Sequence, residues 1–431
     1  MRLTRTTFLL AAAIALLGIV EQWQPLAPVP LWRLLAALLV ALLGYEWLVV
    51  RRAAFSVDCE PRPPLALGRP ERLTLSFRNG SARPLTVLFA PALPAELVHR
   101  PEPRRLELPA GTERRAAVPA QPLALGEHRW RELPVRLRGP LRLGWWSRRC
   151  RLDTPLRVVP DLLRRATEAA AGAEQGRNPR GQLGRGSDLH HLRSYQPGDP
   201  RQVIDWKATA RAGGLITRVF AEDQHLEIVL LLDVGRTAAT EVAGLSQLGH
   251  YVNTAARFAE RAAAGDDRVG LVAVADRPCA QVPAQRGRAA VLAVRRALTD
   301  LTAQPVETDL VQGALAVRRL VRHRGLVVLL TDLYGQDPAG QLGACVRLLR
   351  TTHLPLVVGL LDDGLQAYAA RPAERWLDPY TSLAAREFLR RLHANAAALR
   401  RQGCQVLVSG PRRLDAQVLE LYRTLRSERR I

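Results

Sequence analysis

Two long apolar runs open the chain, and shorter ones recur to its end. Phe8–Val20 reads FLLAAAIALLGIV, and Leu34–Val50 reads LLAALLVALLGYEWLVV with Glu46 as its one charged residue. A membrane-spanning helix needs about 20 residues, and each run reaches that length with its flanks. Arg2 and Arg5 precede the first run and Arg51–Arg52 follow the second. The positive-inside rule therefore puts both ends of this hairpin in the cytoplasm and the link Glu21–Trp32 outside. A cleaved signal peptide is the rival reading of the first run. The lack of a small-residue cleavage site and the immediate second run favour an anchor. Glu46 reads as a functional intramembrane acid or, one turn from the cytoplasmic end, as an interfacial one.

The pattern shortens after residue 52. Arg72–Phe77, Leu85–Phe89, Arg104–Leu108 and Val135–Leu137 are short alternating runs, with turn signals about every ten residues, as in a small β-sandwich over 53–160. Asn79–Gly80 predicts a hairpin turn, because both residues tolerate positive φ. Residues 161–190 turn polar and glycine-rich, as a linker does. From residue 226 the runs become continuous: Leu226–Leu232, Val269–Val274, Gly325–Leu330, Pro355–Leu361 and Gln405–Val408. Such runs suit strands buried on both faces. Helical patterns lie between them, at Glu241–Ala264, Arg288–Leu301, Leu310–Arg322, Gln341–Thr351, Thr381–Arg401 and Leu414–Arg426. The alternation predicts a doubly wound, mostly parallel, Rossmann-like α/β sheet over 225–431. The chain is thus multidomain: hairpin 1–52, sandwich 53–160, connecting segment 161–224, α/β domain 225–431.

A net charge of +22 over 431 residues raises the question of nucleic acid. The excess is +3 over 1–52, +11 over 53–224 and +8 over 225–431, with no long basic run and with acidic residues interleaved. Nucleic-acid binding needs a clustered basic face, so none is expected; attraction to an anionic lipid leaflet uses the same charge. Of the 62 Lys+Arg residues only Lys207 is lysine, which marks it against a strong arginine bias. The five cysteines are scattered without CxxC spacing, against a thiolate metal site or a disulfide framework.

Two strand ends in the last domain carry aspartate, Asp233 and Asp332. Ligands in open α/β sheets sit at such ends. There is no GxxxxGK[ST], strand-borne GxGxxG or GxSxG element, and no small-molecule substrate is indicated. His190–His191 lies in a polar stretch and reads as a solvated loop.

Residues 186–222, GSDLHHLRSYQPGDPRQVIDWKATARAGGLITRVFAE, resemble the hallmark stretch of the bacterial domain-of-unknown-function 58 family, Y-x-P-G-D-x-x-R-x-I-D-W-x-x-x-A-R. The match runs through Tyr195, Pro197, Gly198, Asp199, Arg201, Ile204, Asp205, Trp206, Ala210 and Arg211, and Lys207 follows the tryptophan. GPLRLGWW from Gly139 and RVVPDL from Arg157 extend it. The resemblance implies a von Willebrand factor A-like (vWA-like) domain, membrane anchoring, and pairing with MoxR-type AAA+ ATPases. It also implies a Mg²⁺ site of D-x-S-x-S, Thr and Asp, all hard oxygen ligands. Asp233, Thr237, Thr308 and Asp332 match that set, but Gly235 stands for the first serine and Arg236 brings a cation into the loop, so the site is degenerate. The other reading has Asp233 paired with Arg236 or capping the following helix.

The hallmark stretch also has two readings. In one, Asp199, Arg201, Asp205 and Arg211 form ion pairs that lock the segment, with Trp206 as apolar anchor. In the other, it is a docking surface with Lys207 exposed. The expectation is a non-enzymatic scaffold on the bacterial inner membrane, its bulk in the cytoplasm, docking a MoxR-type ATPase or that ATPase's client. A membrane-bound hydrolase using Asp233 and Asp332, or an envelope-assembly structural protein, are the alternatives.

Overall fold

The structure, a computed structural model, describes residues 2–23, 30–60, 64–99, 102–161, 183–197, 199, 201–221, 225–335 and 340–427. It divides into two compact units. One comprises Met1–Asp161, Gly244–Gly249 and Thr299–Thr302, and the other Leu162–Ala243, His250–Leu298 and Ala303–Ile431.

In the first unit, β1 (Arg2–Leu3) leads into α1 (Arg5–Trp23), and α2 (Leu31–Arg52) follows. These two helices, 19 and 22 residues, are long and apolar enough to cross a membrane, and their leucines and isoleucines are largely exposed. After α2 come, among the described residues up to Asp161, β2 (Phe55–Cys59), β3 (Leu65–Ala66), β4 (Glu71–Asn79), β5 (Leu85–Phe89), β6 (Leu97–Val98), β7 (Arg104–Leu108), β8 (Glu113–Pro122), β9 (Gly126–Arg138) and β10 (Gly144–Val159). With β1 they form two sheets, ordered β1-β10-β9-β5-β7 (with β3 on β10) and β2-β4-β8-β6. Strict alternation makes the core: Leu73, Leu75 and Phe77 of β4 point inward while Arg72, Thr74 and Ser76 do not. They meet Val87, Phe89, Trp130 and Leu133 of the facing sheet, with the Phe77 and Phe89 rings 4.6 Å apart. Each such side chain contributes about 1.5–3 kcal/mol on burial.

Asn79–Gly80 does not make a hairpin. β4 pairs with β2 and β8, whereas β5 pairs with β7 and β9, so the turn carries the chain from one sheet to the other. Fully buried Asn79 builds this corner. Its Nδ2 donates to Arg83 O, Leu108 O and Pro109 O at 2.9–3.2 Å, and its Oδ1 accepts from Ser81. A buried amide with its bonds made is stable where an open hairpin would leave it unpaired.

The second unit begins, among the described residues, with β11 (Leu183–Ser194), α3 (Trp206–Ala212) and β12 (Ile216–Ala221), where β11 and β12 pair antiparallel. Part of the glycine-rich stretch read as linker is therefore strand. Next come β13 (Glu227–Asp233), α4 (Gln247–Ala264), β14 (Arg268–Val274), β15 (Pro278–Gln285), α5 (Gly287–Thr299), α6 (Leu310–Leu320), β16 (Leu326–Leu330), α7 (Gln341–Arg350), β17 (Leu354–Leu360), α8 (Asp363–Ala370), α9 (Asp378–Arg401), β18 (Gln405–Ser409) and α10 (Leu414–Ser427). Helix α4 starts later than its hydrophobic pattern, because Ala243 and Gly244 take φ of 51° and 81°, which no right-handed helix accommodates.

One mixed sheet has the order β15-β14-β13-β16-β17-β18. All its pairs are parallel except β14–β15. Val229 and Leu231 of β13 pack with α6, α7 and α9, while the intervening Ile228, Leu230 and Leu232 are equally buried. Both faces are thus covered, as the unbroken apolar runs require. The order reverses between β13 and β16, and the carboxyl ends of those two strands carry the candidate aspartates.

Candidate functional site

Asp233 is the last residue of β13, and Thr331 and Asp332 follow β16, its parallel neighbour. A third segment is drawn in by backbone bonds: Gln304 N donates to Val234 O at 2.7 Å, Arg236 N to Val306 O at 2.8 Å, and Asp309 N to Ala275 O at 2.7 Å. Asp309 then caps α6, accepting from the amides of Val311 and Gln312. This fixes the residue before the cap, Thr308, over Asp233.

The result is a closed polar knot. Asp233 is 2% exposed. Its Oδ1 accepts from the Thr308 hydroxyl and from Gly235 N at 3.0 Å, and its Oδ2 accepts from the Thr331 hydroxyl at 2.7 Å. Tyr251 in turn donates to Thr331 O at 2.7 Å and accepts from Leu360 N at 3.2 Å. Gly235 is required here, since a Cβ on it would overlap Thr308 Oγ1 and lie 2.9 Å from Val306 O. Asp332 accepts from Tyr334 N at 2.9 Å. Burial, and then the charge of Asp233, push the Asp332 carboxyl above its usual range, against backbone donors that pull it down.

Sequence reasoning placed Asp233, Thr308 and Asp332 in one site, and the structure brings them together. Thr237 lies on a short 3-10 turn, half-buried, with no side-chain hydrogen bond among the described residues, and Arg236 beside it is exposed. Asp233 is held by hydroxyls and an amide, so the pairing with Arg236 is replaced by neutral donors that burial favours over a mobile surface guanidinium. Thr331 and Tyr251 were not foreseen. The only sequence signal for Thr331 is a hydroxyl directly before the second aspartate.

These residues as placed do not fit a magnesium site. Mg²⁺ demands near-octahedral oxygen coordination. Gly235 offers no side-chain oxygen, and Thr308 Oγ1 fills the space where a side chain at 235 would begin, so the first hydroxyl ligand of the motif is missing and has no room. General acid–base work by Asp233 meets a different obstacle, because its oxygens face hydroxyl donors and not solvent.

The hallmark segment is locked by ion pairs, but through other cations than the sequence suggested. Asp205 caps α3, accepting from Lys207 N and Ala208 N at 3.0 Å each, and pairs with Arg218 at 3.0 Å. Asp199 accepts from Arg193 at 2.8 Å, from Gln196 N and from Thr217. These contacts hold both carboxyls below the usual range, Asp199 chiefly through Arg193 and Asp205 chiefly through Ala208 N. The lock is real, but its cations are Arg193 and Arg218 on β11 and β12; Arg201 and Arg211 are exposed and form no ion pair among the described residues. Trp206, the first residue of a capped, seven-residue helix, is 65% exposed, so it is not the apolar anchor expected. Lys207 beside it is exposed, and Tyr195 is half-buried. Gly198 and the side chains of His190 and His191 lie outside the described residues.

A second feature had no sequence forecast. Trp376, Tyr380, Leu383 and Phe388 are exposed by 78%, 66%, 68% and 47% at the start of α9. Trp376 and Tyr380 stack edge-on at 6.3 Å. Phe388 contacts Tyr334, centroids 6.4 Å apart, and Asn395 Nδ2 donates to Leu333 O at 2.9 Å. Helix α9 is therefore joined to the Asp332 loop through Phe388 and Asn395.

Comparison with known proteins follows the hallmark. Residues 191–366 match the family described as "Protein of unknown function DUF58". Uncharacterized proteins of Mycobacterium bovis and Mycobacterium tuberculosis are each 29% identical over 181 residues, 42% of this chain. The chain spans 56% of the length of these relatives. Among solved structures, an aerotolerance-related membrane protein from Bacteroides fragilis is 16% identical with a TM-score of 0.26, covering 31% of this chain and 67% of that one. The conserved hypothetical protein BatB from Bacteroides thetaiotaomicron is 11% identical with a TM-score of 0.30, covering 46% and 99%. Likenesses at that level carry no argument about this chain's site. Residues 191–366, which hold the Tyr195–Arg211 hallmark and both site aspartates, are thus similar to the DUF58 family, described as of unknown function.

Proposed function

We propose that the chain is a docking protein of the bacterial inner membrane. Helices α1 and α2 anchor it, with both ends in the cytoplasm, and its α/β unit, read as vWA-like, engages another protein. The partner class that the hallmark resemblance suggests is a MoxR-type AAA+ ATPase or its client. The observation that carries the reading is the concentration of exposed large apolar side chains, Trp376, Tyr380, Leu383 and Phe388, along the first half of α9. Contiguous apolar surface on a soluble unit marks an interaction site, and tryptophan and tyrosine anchors dominate binding energy at such sites. The contact of Phe388 with Tyr334 gives docking there a path to the Asp233–Asp332 knot. Docking in this reading needs no metal, and no observation favours hydrolysis.

The test is binding of the purified full chain, in detergent, to a purified MoxR-type ATPase from the same organism. Leu383→Asp, an exposed position, leaves the fold intact and weakens binding at least tenfold, the loss of about 1.4 kcal/mol or more expected at an interface anchor. Equal affinity for Leu383→Asp and wild type would remove α9 as the docking face. No binding by wild type would remove this partner class.

A further inference from the structure

The first unit brings the start of α1, the end of α2 and one turn of the sandwich to a single place. β1 pairs with β10, Arg2 opposite Trp145 and Leu3 opposite Gly144. The hydroxyls of Thr4 and Thr7 both donate to Leu143 O, at 3.0 and 2.6 Å. From α2, fully buried Glu46 accepts the amides of Leu143 and Gly144 on Oε2, at 2.9 and 3.2 Å. Residues 139–144 are thereby fastened to both helices, while Leu141 and Arg142 at the tip stay exposed.

This junction is basic with little counter-charge. Residues 135–149 include five arginines and no acidic residue. Of those five only Arg149 has an ion-pair partner among the described residues, Glu132 at 3.9 Å. Arg51 lies over Trp47 at 4.9 Å, Arg83 over Tyr45 at 5.0 Å and Arg138 over Trp145 at 4.8 Å. Burial first, and then the neighbouring Arg105 and Arg142, hold Arg138 below its ordinary value, against the opposing charges of Glu107 and Glu46. Beside the turn, a cleft of about 570 Å³ is lined by Leu3, Thr4, Arg5, Phe8 and Leu9.

We propose that this junction is a binding site for anionic phospholipid, with arginines of the turn and helix ends on the headgroup phosphate and an acyl chain against Leu3 and Phe8. Guanidinium forks match phosphate oxygens in geometry, and arginine over an aromatic ring is suited to the depth where a bilayer meets water. The apolar wall selects a lipid over a free aqueous anion. Glu46 serves as the rivet that holds the turn at that depth, which gives the acid of α2 a structural task. The site rests on the membrane anchoring proposed above.

The test uses the full chain. Alkaline carbonate extraction of membranes decides the anchoring: extraction into the supernatant overturns it and this site together. On the detergent-solubilised protein, native mass spectrometry then compares retention of phosphatidylglycerol with phosphatidylcholine, with glycerol 1-phosphate as a soluble competitor. Phosphatidylglycerol is retained preferentially, and the preference falls about fivefold for each of Arg51→Gln and Arg142→Gln, while Arg322→Gln, on the other unit, changes nothing. Equal retention of the two lipids, with the protein resistant to carbonate, overturns the site and leaves the anchoring. Full competition by glycerol 1-phosphate at matched concentration overturns the lipid and leaves a site for a soluble phosphate.

Discussion

Gly235 is the position at which the metal loop of the related motif would carry serine, and Gly235→Ala tests why it does not. A Cβ there overlaps Thr308 Oγ1 and crowds Val306 O at 2.9 Å. Overpacking costs about 1–3 kcal/mol, and displacing the Thr308 hydroxyl removes a hydrogen bond to a buried charge worth about 1.5–3 kcal/mol. The knot joins β13 to β16, so the expected loss is about 3 kcal/mol, or roughly 150-fold in opening. Tryptophan fluorescence would miss this, because the described tryptophans of the α/β unit, Trp206 and Trp376, are already exposed. Hydrogen exchange of peptides covering Glu227–Asp233 and Leu326–Leu330 reads it directly. The control is Thr308→Ala, costing about 2 kcal/mol alone. On that background the main clash is gone, and Gly235→Ala adds less than about 1 kcal/mol, a clear departure from additivity. Additive losses, or a neutral Gly235→Ala, would refute the steric account.

Two further outcomes follow from the same geometry. Gly235→Ser restores the missing hydroxyl of the motif yet gains no Mg²⁺ affinity by calorimetry, because Thr308 already occupies its space; millimolar or tighter binding would show that the knot opens for a cation. In the hallmark segment, Asp199 and Asp205 have lowered pKa values, so their contribution is present above the ordinary value of 3.8 and is lost as pH falls through the folded values. Protection of peptides spanning Arg193–Arg218, taken relative to the intrinsic exchange rate at each pH, falls below about pH 4 and is flat above it, and protection lost instead toward neutral pH contradicts the assignment.

Much of the architecture was legible because it follows from chain-local periods. Runs of unbroken aliphatic residues announce strands covered on both faces, and α6, α7 and α9 begin within about three residues of where their patterns do. What escaped had weak local signals. The edge strand β15, PCAQVPAQ, contains two prolines and alternates poorly; edges tolerate proline because half their amides need no partner. Helix α8 has only eight residues, too few for a period to show.

The sequence by itself determined which residue types would stand at the strand ends, and the hallmark stretch that carries the family resemblance. Only the tertiary structure decided what those residues do. Asp233 meets Thr308 and Thr331 across 75 and 98 positions of chain, and Asn79 reaches Leu108 to turn a corner between sheets. Trp206, an apolar side chain in a matched motif, proves to be exposed. Hydrogen bonds and burial of this kind depend on how separate loops come into register, and local propensity carries no information about a partner that distant.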